Sequence, residues 1–294
     1  MTTTKPTRVI YIAGLSRGGS TILQRYLATH PEFVSIGESL FTISALTGRE
    51  PSSPIYPCSC GRPRTDCEVW GPLLEPLKTA SMESGHDLLM NRLRALVPDK
   101  ILIDSSKEPD GIQRFYLQKA RKGEIQLQVI LLVRDVRSWA SAIRKYRRFR
   151  SSFVLEAYRW MVATMKLLRL LRSTQIDSYC MSYESFVFNP VEQAEKLADW
   201  LGVENQFSDE RLGDAATHEL FGSPTVRFGA SRDDRLVYDD VWLRDLGPAL
   251  LGPLLAPPLL LNRHIHQSLA GRPLKLTPRK TESPAISANP ARVL

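Results

Sequence analysis

A strand, a glycine-bearing loop and the first residues of a helix follow one another directly in Arg8 to Thr21, RVIYIAGLSRGGST, and no other stretch restricts the fold as much. Val9, Ile10, Tyr11 and Ile12 form an apolar run rich in β-formers, too short for a helix and ended by Gly14. From Thr21 the spacing becomes helical, with Ile22, Leu23, Tyr26 and Leu27 on one side. Pro31 predicts a stop near His30, because the residue before a proline avoids helical geometry. A corner of this kind is an anion site, since the N–H groups of the loop and of the first helical turn converge on one point. Gly14, Gly18 and Gly19 let an oxyanion approach the backbone. Ser16, Ser20 and Thr21 add hydroxyl donors, and Arg17 adds a fixed cation. Phosphate is the expected occupant.

The NTPase pattern GxxxxGK[ST] is met at Gly14, Gly19 and Thr21, but Ser20 stands in place of the lysine and the cation has moved to Arg17. The machinery for a triphosphate is therefore incomplete, because that lysine and the magnesium-binding hydroxyl act together. GLSRGGST resembles instead the 5′-phosphosulfate loop of sulfotransferases that use 3′-phosphoadenosine 5′-phosphosulfate (PAPS), in which a lysine or arginine precedes the Ser/Gly/Thr cluster. The plainer alternative is an ordinary strand-turn-helix corner rich in Gly and Ser.

At 294 residues and 43% hydrophobic content the chain can bury a full core. It reads as one domain over residues 1–270, with a surface insertion at about 47–70 and a disordered Pro-, Ser- and Lys/Arg-rich tail over 271–294. MTTTKPT lacks the apolar stretch of a signal peptide, so export is not indicated and a cytoplasmic location is expected. Leu250 to Leu261 is apolar but broken by Gly252, Pro253, Pro257 and Pro258, and too short to span a bilayer; no stable membrane insertion is expected. The net charge of +8 suits an anionic cofactor, and equally nucleic acid or a membrane surface, so charge does not choose between them.

Further along, Phe33, Val34 and Ile36 predict a second strand ending at Gly37, which puts Glu38 just past a strand end, where open α/β sheets build their sites. A carboxylate there can take a proton from an attacking hydroxyl, or simply cap the next helix. HPEFVSIGE resembles the segment that carries the catalytic base in sulfotransferases acting on tyrosine or sugar hydroxyls, which implies that role for Glu38. Thr47 to Trp70 reads as a long surface excursion. Its Cys58, Cys60 and Cys67 are compatible with a zinc site completed from elsewhere, such as by His86, but the spacing is not that of a common zinc knuckle. A metal-free loop with free thiols or one disulfide is the expectation. CxCG...C...W insertions of this kind resemble those of bacterial sulfotransferases.

A helix over Asp87–Leu96 and a strand over Ile101–Ile103 precede DSSK, whose Lys107 matches the lysine that helps neutralise the transferring sulfuryl group in related enzymes. Val129 to Val133 is continuously apolar, as in a strand covered on both faces, and leads into RDVRSWAS and a helix through Phe149. RDVRSWAS resembles the 3′-phosphate element, which implies Arg134 as a ligand. The serine that usually follows eight residues on would be Ala142; Ser141 falls one residue short and Ser138 a turn earlier, and one residue rotates a helical side chain by about 100°. The basic run Arg137, Arg144, Lys145, Arg147, Arg148, Arg150 reads as a solvated face or as a surface for an acidic acceptor. A long helix follows over Phe153–Leu171, then a strand over Tyr179–Met181. A helix beginning at Pro190 and ending at Gly202 completes the pattern, and the intervening Tyr183 matches a tyrosine near the adenine or is a core aromatic. Arg227 and Gly229 echo the Arg-x-Gly of a cofactor-closing loop.

These readings predict a three-layer α/β domain with a mainly parallel sheet, resembling P-loop nucleotide-binding folds. The resemblance implies a PAPS-dependent sulfotransferase acting on an acceptor hydroxyl of a small molecule, lipid, saccharide or peptide, with no obligatory metal and no nucleic-acid partner. Arg17, Ser20, Thr21 and the backbone of Ser16, Gly18 and Gly19 would hold the 5′-phosphosulfate, with Lys107 assisting. Arg134, Ser141 and Arg227 would hold the 3′-phosphate. A P-loop kinase or NTPase ranks second and a non-enzymatic nucleic-acid binder third.

Overall fold

The computed structural model describes residues 6–48, 57–208, 212, 215–221, 236, 238, 240–244 and 252–274. Arg227, Gly229 and the tail beyond 274 therefore lie outside the described residues. The chain alternates strand and helix: β1 (Thr7–Gly14), α1 (Ser20–Leu27), β2 (Phe33–Gly37), α2 (Ser39–Leu46), α3 (Leu74–Thr79), α4 (Met82–Leu96) and β3 (Ile101–Lys107). There follow α5 (Pro109–Gly111), a π-helical turn (Ile112–Tyr116), α6 (Leu117–Arg121), β4 (Ile125–Val133), α7 (Val136–Tyr146), α8 (Phe153–Thr174) and β5 (Asp177–Ser182). The last elements are α9 (Tyr183–Phe188), α10 (Pro190–Leu201), a helix over Ala256–His264 and β6 (Arg272–Pro273).

The six strands lie in the order β2-β3-β1-β4-β5-β6. β1 to β5 are parallel, and β6 pairs antiparallel with β5 at the edge. Period-two alternation divides the apolar side chains between two cores. Val9, Tyr11, Val129 and Leu131 face the side covered by Leu89 of α4, Trp139 of α7 and Trp160 of α8. Ile10, Ile12, Ile130 and Leu132 face the side covered by Leu23 of α1, Phe186 of α9 and Leu197 of α10. The result is the expected three-layer α/β architecture with a mainly parallel sheet. Because β2 and β3 lie on one side of β1 and β4 on the other, the chain reverses direction across the sheet at β1. In open α/β sheets such a reversal is where ligand sites are built, at the carboxyl ends of the strands.

Several boundaries differ from the sequence reading for identifiable reasons. β3 continues through Lys107 because Asp104, Ser105 and Ser106 are buried, and the Asp104 carboxylate is supplied with donors inside the sheet. α4 starts at Met82, where Ser81 and Ser84 form a reciprocal capping box. α7 ends at Tyr146, short of Phe149, because Arg148 and Phe149 take left-handed conformations with φ of 51° and 60°. Within 57–70, Cys58, Cys67, Val69 and Trp70 are buried in the core, while residues 60–66 between them are exposed. Residues 271–274 are tied to the sheet edge: Gly271 N–H donates to Cys180 O at 2.8 Å and Leu274 N–H to Ser178 O at 2.8 Å, which attaches β6.

Candidate active site

β1 ends at Gly14, where a Cβ would lie 2.7 Å from Leu132 O of the neighbouring β4, so a side chain there would push the two strands apart. The loop turns through a Gly18 N–H to Leu15 O hydrogen bond of 2.9 Å, with Arg17 left-handed at φ 68°. Gly19 then opens α1 at φ 98° with no side chain to cap the first turn. Ser20 is buried at this end and Thr21 half-buried, while Ser16 and Arg17 are exposed.

The loop is held from behind by β4 and α7. Trp139 Nε1 donates to Ser16 O at 2.8 Å, and Arg134 Nη1 donates to Arg17 O at 3.1 Å. Tyr183, at the start of α9, lies so close to Gly19 that a Cβ there would be 2.3 Å from its ring. The Arg134 guanidinium carbon sits 5.0 Å from the centre of the same ring. Arg134 Nε also donates to Ser138 Oγ at 2.6 Å, and both residues are buried. Ser141 lies a turn further along α7 and is half-buried. The Arg17 guanidinium stacks 4.4 Å above the Tyr146 ring. Arg134, Tyr183, Gly19 and Arg17 are thus brought together around one loop.

On the other side of β1, Lys107 closes β3 and forms an ion pair with Glu38, which opens α2. The Lys107 side chain is 7% exposed and that of Glu38 25%, so the carboxylate is the more accessible partner. Lys107, like Arg17, holds a left-handed φ of 68°. Non-glycine residues adopt that conformation at a cost of order 1–3 kcal/mol, and such residues cluster at functional sites. Beneath the pair lies Asp104, which accepts from Ser39 Oγ at 2.5 Å, from Ser106 N at 2.8 Å, from Ser106 Oγ at 2.5 Å, and from Tyr116 Oη. Ser106 Oγ in turn accepts the Leu40 N–H at 3.1 Å. Burial pushes the Asp104 carboxyl above its ordinary range, with these donors pulling the other way. The network ties the end of β3 to the start of α2, and so sets Glu38 against Lys107. Asp104 and Ser106 were visible in the sequence only as part of a polar cluster after a strand.

The other side of the site is fixed at the head of α7. Asp135 caps that helix, accepts from Arg137 and receives Asn262 Nδ2 at 2.9 Å. Burial alone would raise the Asp135 carboxyl, but the Arg137 bonds outweigh it and hold it below the usual range.

The histidine beside the loop thiols is not His86, the example that the sequence offered as a fourth ligand. His86 lies in the core against Phe115 and Tyr116, where burial lowers its pKa to about 4. The histidine beside Cys58, Cys60 and Cys67 is His218. All four cysteines of the chain are free.

No protein-family model matches this sequence, and no protein of curated function matches it. Among solved structures the chain is similar to the sulfotransferase domain of the Synechococcus PCC 7002 olefin synthase, with 19% identity over 92% of this chain and 98% of that one, at a TM-score of 0.53. Sulfotransferase STF1 from Mycobacterium tuberculosis H37Rv matches at 13% identity over 76% of this chain and 77% of that one, with a TM-score of 0.43. A sulfotransferase from Alicyclobacillus acidocaldarius matches at 14% identity over 88% and 96%, with a TM-score of 0.41. The chain therefore has the fold of a bacterial sulfotransferase domain, a six-stranded, mostly parallel α/β sheet of P-loop-like form. Among the described residues no helix is long and apolar enough to cross a membrane.

Proposed function

We propose that the protein is a sulfotransferase that moves a sulfuryl group from PAPS to an acceptor hydroxyl. The observation that carries this reading is the placement, at the carboxyl end of β1, of a lysine-free anion loop between two cationic positions. Arg134 lies on one side, and the Glu38–Lys107 pair on the other. A donor with a 5′-phosphosulfate and a separate 3′-phosphate needs two such anchors, whereas a triphosphate needs the lysine that Ser20 replaces. The fold shared with sulfotransferase domains supports the same class.

In this reading the 5′-phosphosulfate lies on the N–H groups of Gly18 and Gly19 and the hydroxyls of Ser20 and Thr21, with Ser16 and Arg17 at its exposed edge. Arg134 takes the 3′-phosphate together with Ser138 or Ser141, and Tyr183 flanks the adenine. Arg227 and Gly229 remain candidates for closing the cofactor site. Glu38 accepts the proton of the acceptor hydroxyl while the hydroxyl oxygen bonds to sulfur. The bond from sulfur to the 5′-phosphate oxygen breaks, releasing adenosine 3′,5′-bisphosphate. Lys107 neutralises charge gathering on the bridging oxygen, which requires it to exchange Glu38 for the donor and so frees the carboxylate as base.

Calorimetric titration with adenosine 3′,5′-bisphosphate, ATP and AMP, with and without magnesium, tests the donor. The bisphosphate should bind without magnesium, and AMP, lacking the 3′-phosphate, should bind at least about 10-fold more weakly, since hydrogen bonds to charged groups contribute about 1.5–3 kcal/mol each. If ATP with magnesium binds best, the protein is a kinase or NTPase. Glu38→Gln should lower turnover by about 10²- to 10⁴-fold with little change in bisphosphate affinity. An equal fall in both would remove Glu38 from the role of base.

A further inference from the structure

Cys58, Cys60, Cys67 and His218 offer four ligand atoms that all lie within 4.8 Å of one another. His218 Nδ1 is 3.4 Å from Cys67 Sγ and 4.0 Å from Cys58 Sγ. In a tetrahedral zinc site, with Zn–S about 2.3 Å and Zn–N about 2.0 Å, ligand atoms sit about 3.5–3.8 Å apart, so these spacings need only small adjustments to surround one ion. Three sulfurs and one imidazole nitrogen are a donor set that selects zinc over magnesium or calcium, which take oxygen ligands.

The surroundings are arranged as a built site. Cys58 to Gly61 form a tight turn, closed by Gly61 N–H to Cys58 O at 3.0 Å with Gly61 at φ 84°, which brings Cys58 and Cys60 to the same side. Trp70 N–H donates to Cys67 Sγ at 3.5 Å, the kind of backbone support that steadies a thiolate ligand. His218 is fixed from both ends: its N–H donates to Ser35 O at 2.7 Å and its O accepts Trp70 Nε1 at 2.7 Å. Cys58 and Cys67 are buried while Cys60 is exposed, which leaves a path for an ion to enter.

We propose that these four residues bind one structural Zn²⁺, with His218 coordinating through Nδ1. The ion clamps two segments that are distant in sequence, 57–71 and 215–221. The second of these pairs with the edge of β2 through Ser35 and Thr217. It also packs Glu219 onto Gly37, where a Cβ would meet Glu219 Cγ at 2.7 Å. The clamp thus bears on the strand end that carries Glu38. All four coordination positions come from the protein, so the ion has a structural role rather than a catalytic one.

The test is metal analysis of the full-length protein, purified under reducing conditions from zinc-containing medium and desalted against a weak chelator. About one zinc per chain is expected, and cobalt exchanged into the site should show the ligand-field and thiolate charge-transfer bands of a tetrahedral centre. Removal of an outer-shell partner already costs a metal site about 10- to 100-fold in affinity, so Cys67→Ser and His218→Ala should lose more than about 100-fold. His218→Cys should retain the ion in a four-thiolate set. Cys60→Ser, at an exposed position, provides a variant whose loss of zinc is separable from misfolding. Mass spectrometry after alkylation in denaturant should find all three loop thiols reactive. A disulfide among them, no bound zinc in the wild type, or zinc content unchanged in Cys60→Ser and His218→Ala would each overturn the proposal.

Discussion

At the scale of single residues, the anion loop was legible because its chemistry is local: Gly14, Gly18, Gly19, Ser20 and Thr21 lie within one turn of chain, and spacing alone places them. The reason Gly19 must be glycine was not legible, because it is a contact with Tyr183, which follows β5 and lies more than 160 residues along the chain. Gly19→Ala combines a positive φ with a methyl 2.3 Å from that ring, so either the loop or α9 must move. The variant should bind adenosine 3′,5′-bisphosphate at least about 10-fold more weakly and lose about 1–3 kcal/mol of stability. Calorimetry and urea unfolding measure the two, and unchanged values in both would mean that the loop is not held by Tyr183. On the proposed sulfotransferase reading, α7 poses a related question about which serine reaches the 3′-phosphate. Sequence spacing favoured Ser141, but Ser138 is the one held on Arg134, at 2.6 Å. Ser138→Ala should weaken bisphosphate binding by roughly 10-fold and Ser141→Ala by much less, hydrogen bonds to charged groups contributing about 1.5–3 kcal/mol. The reverse order in the same titration would return the role to Ser141.

At the scale of elements, the pairing that matters most joins the end of β3 to the start of α2. The sequence placed Glu38 and Lys107 each past a strand end, but could not pair them, since the sheet order that sets β2 beside β3 is a tertiary fact. The extension of β3 was missed for a similar reason: DSSK reads as loop by composition, and the Asp104 carboxylate is tolerable inside the sheet because Ser106, Ser39 and Tyr116 all donate to it. Asp104→Asn tests this junction. An amide presents one acceptor oxygen and an NH₂ group where the carboxylate accepts four hydrogen bonds, so at least one buried donor loses its partner. We expect a loss of about 1–3 kcal/mol in urea unfolding. On the sulfotransferase reading, turnover should fall more than donor affinity, because the residue positions Glu38 without touching the nucleotide site. Loss of donor binding with turnover per bound donor unchanged would place Asp104 elsewhere in the mechanism.

At the scale of the whole molecule, the sequence disclosed the layers, since each apolar run and helical stripe is a local pattern. The closures between distant segments were hidden, because nothing in a chain marks which partner will arrive from 151 residues away, as His218 does at Cys67. His86 was the sequence's candidate for that place, and the structure gives it a different consequence. It is enclosed between α4 and the Phe115 and Tyr116 rings, with burial the main cause of a pKa lowered from 6.5 to about 4. Lys119 and Arg94 push in the same direction, and Asp87 opposes them. The folded state therefore takes up the His86 proton less readily than the unfolded chain, so acid favours unfolding. The stabilisation is complete above about pH 6.5, declines as pH falls toward about 4, and changes no further below that. A depression of about 2.5 units corresponds to at most about 3.4 kcal/mol. Unfolding free energies measured in urea at pH 7.5 and pH 4.5 should fall by about 2–3 kcal/mol more in the wild type than in His86→Leu, which cannot take up the proton. The subtraction removes the other titrating groups, Asp104 among them, and equal losses in the two proteins would mean that His86 is protonated as readily in the folded state as in the unfolded chain.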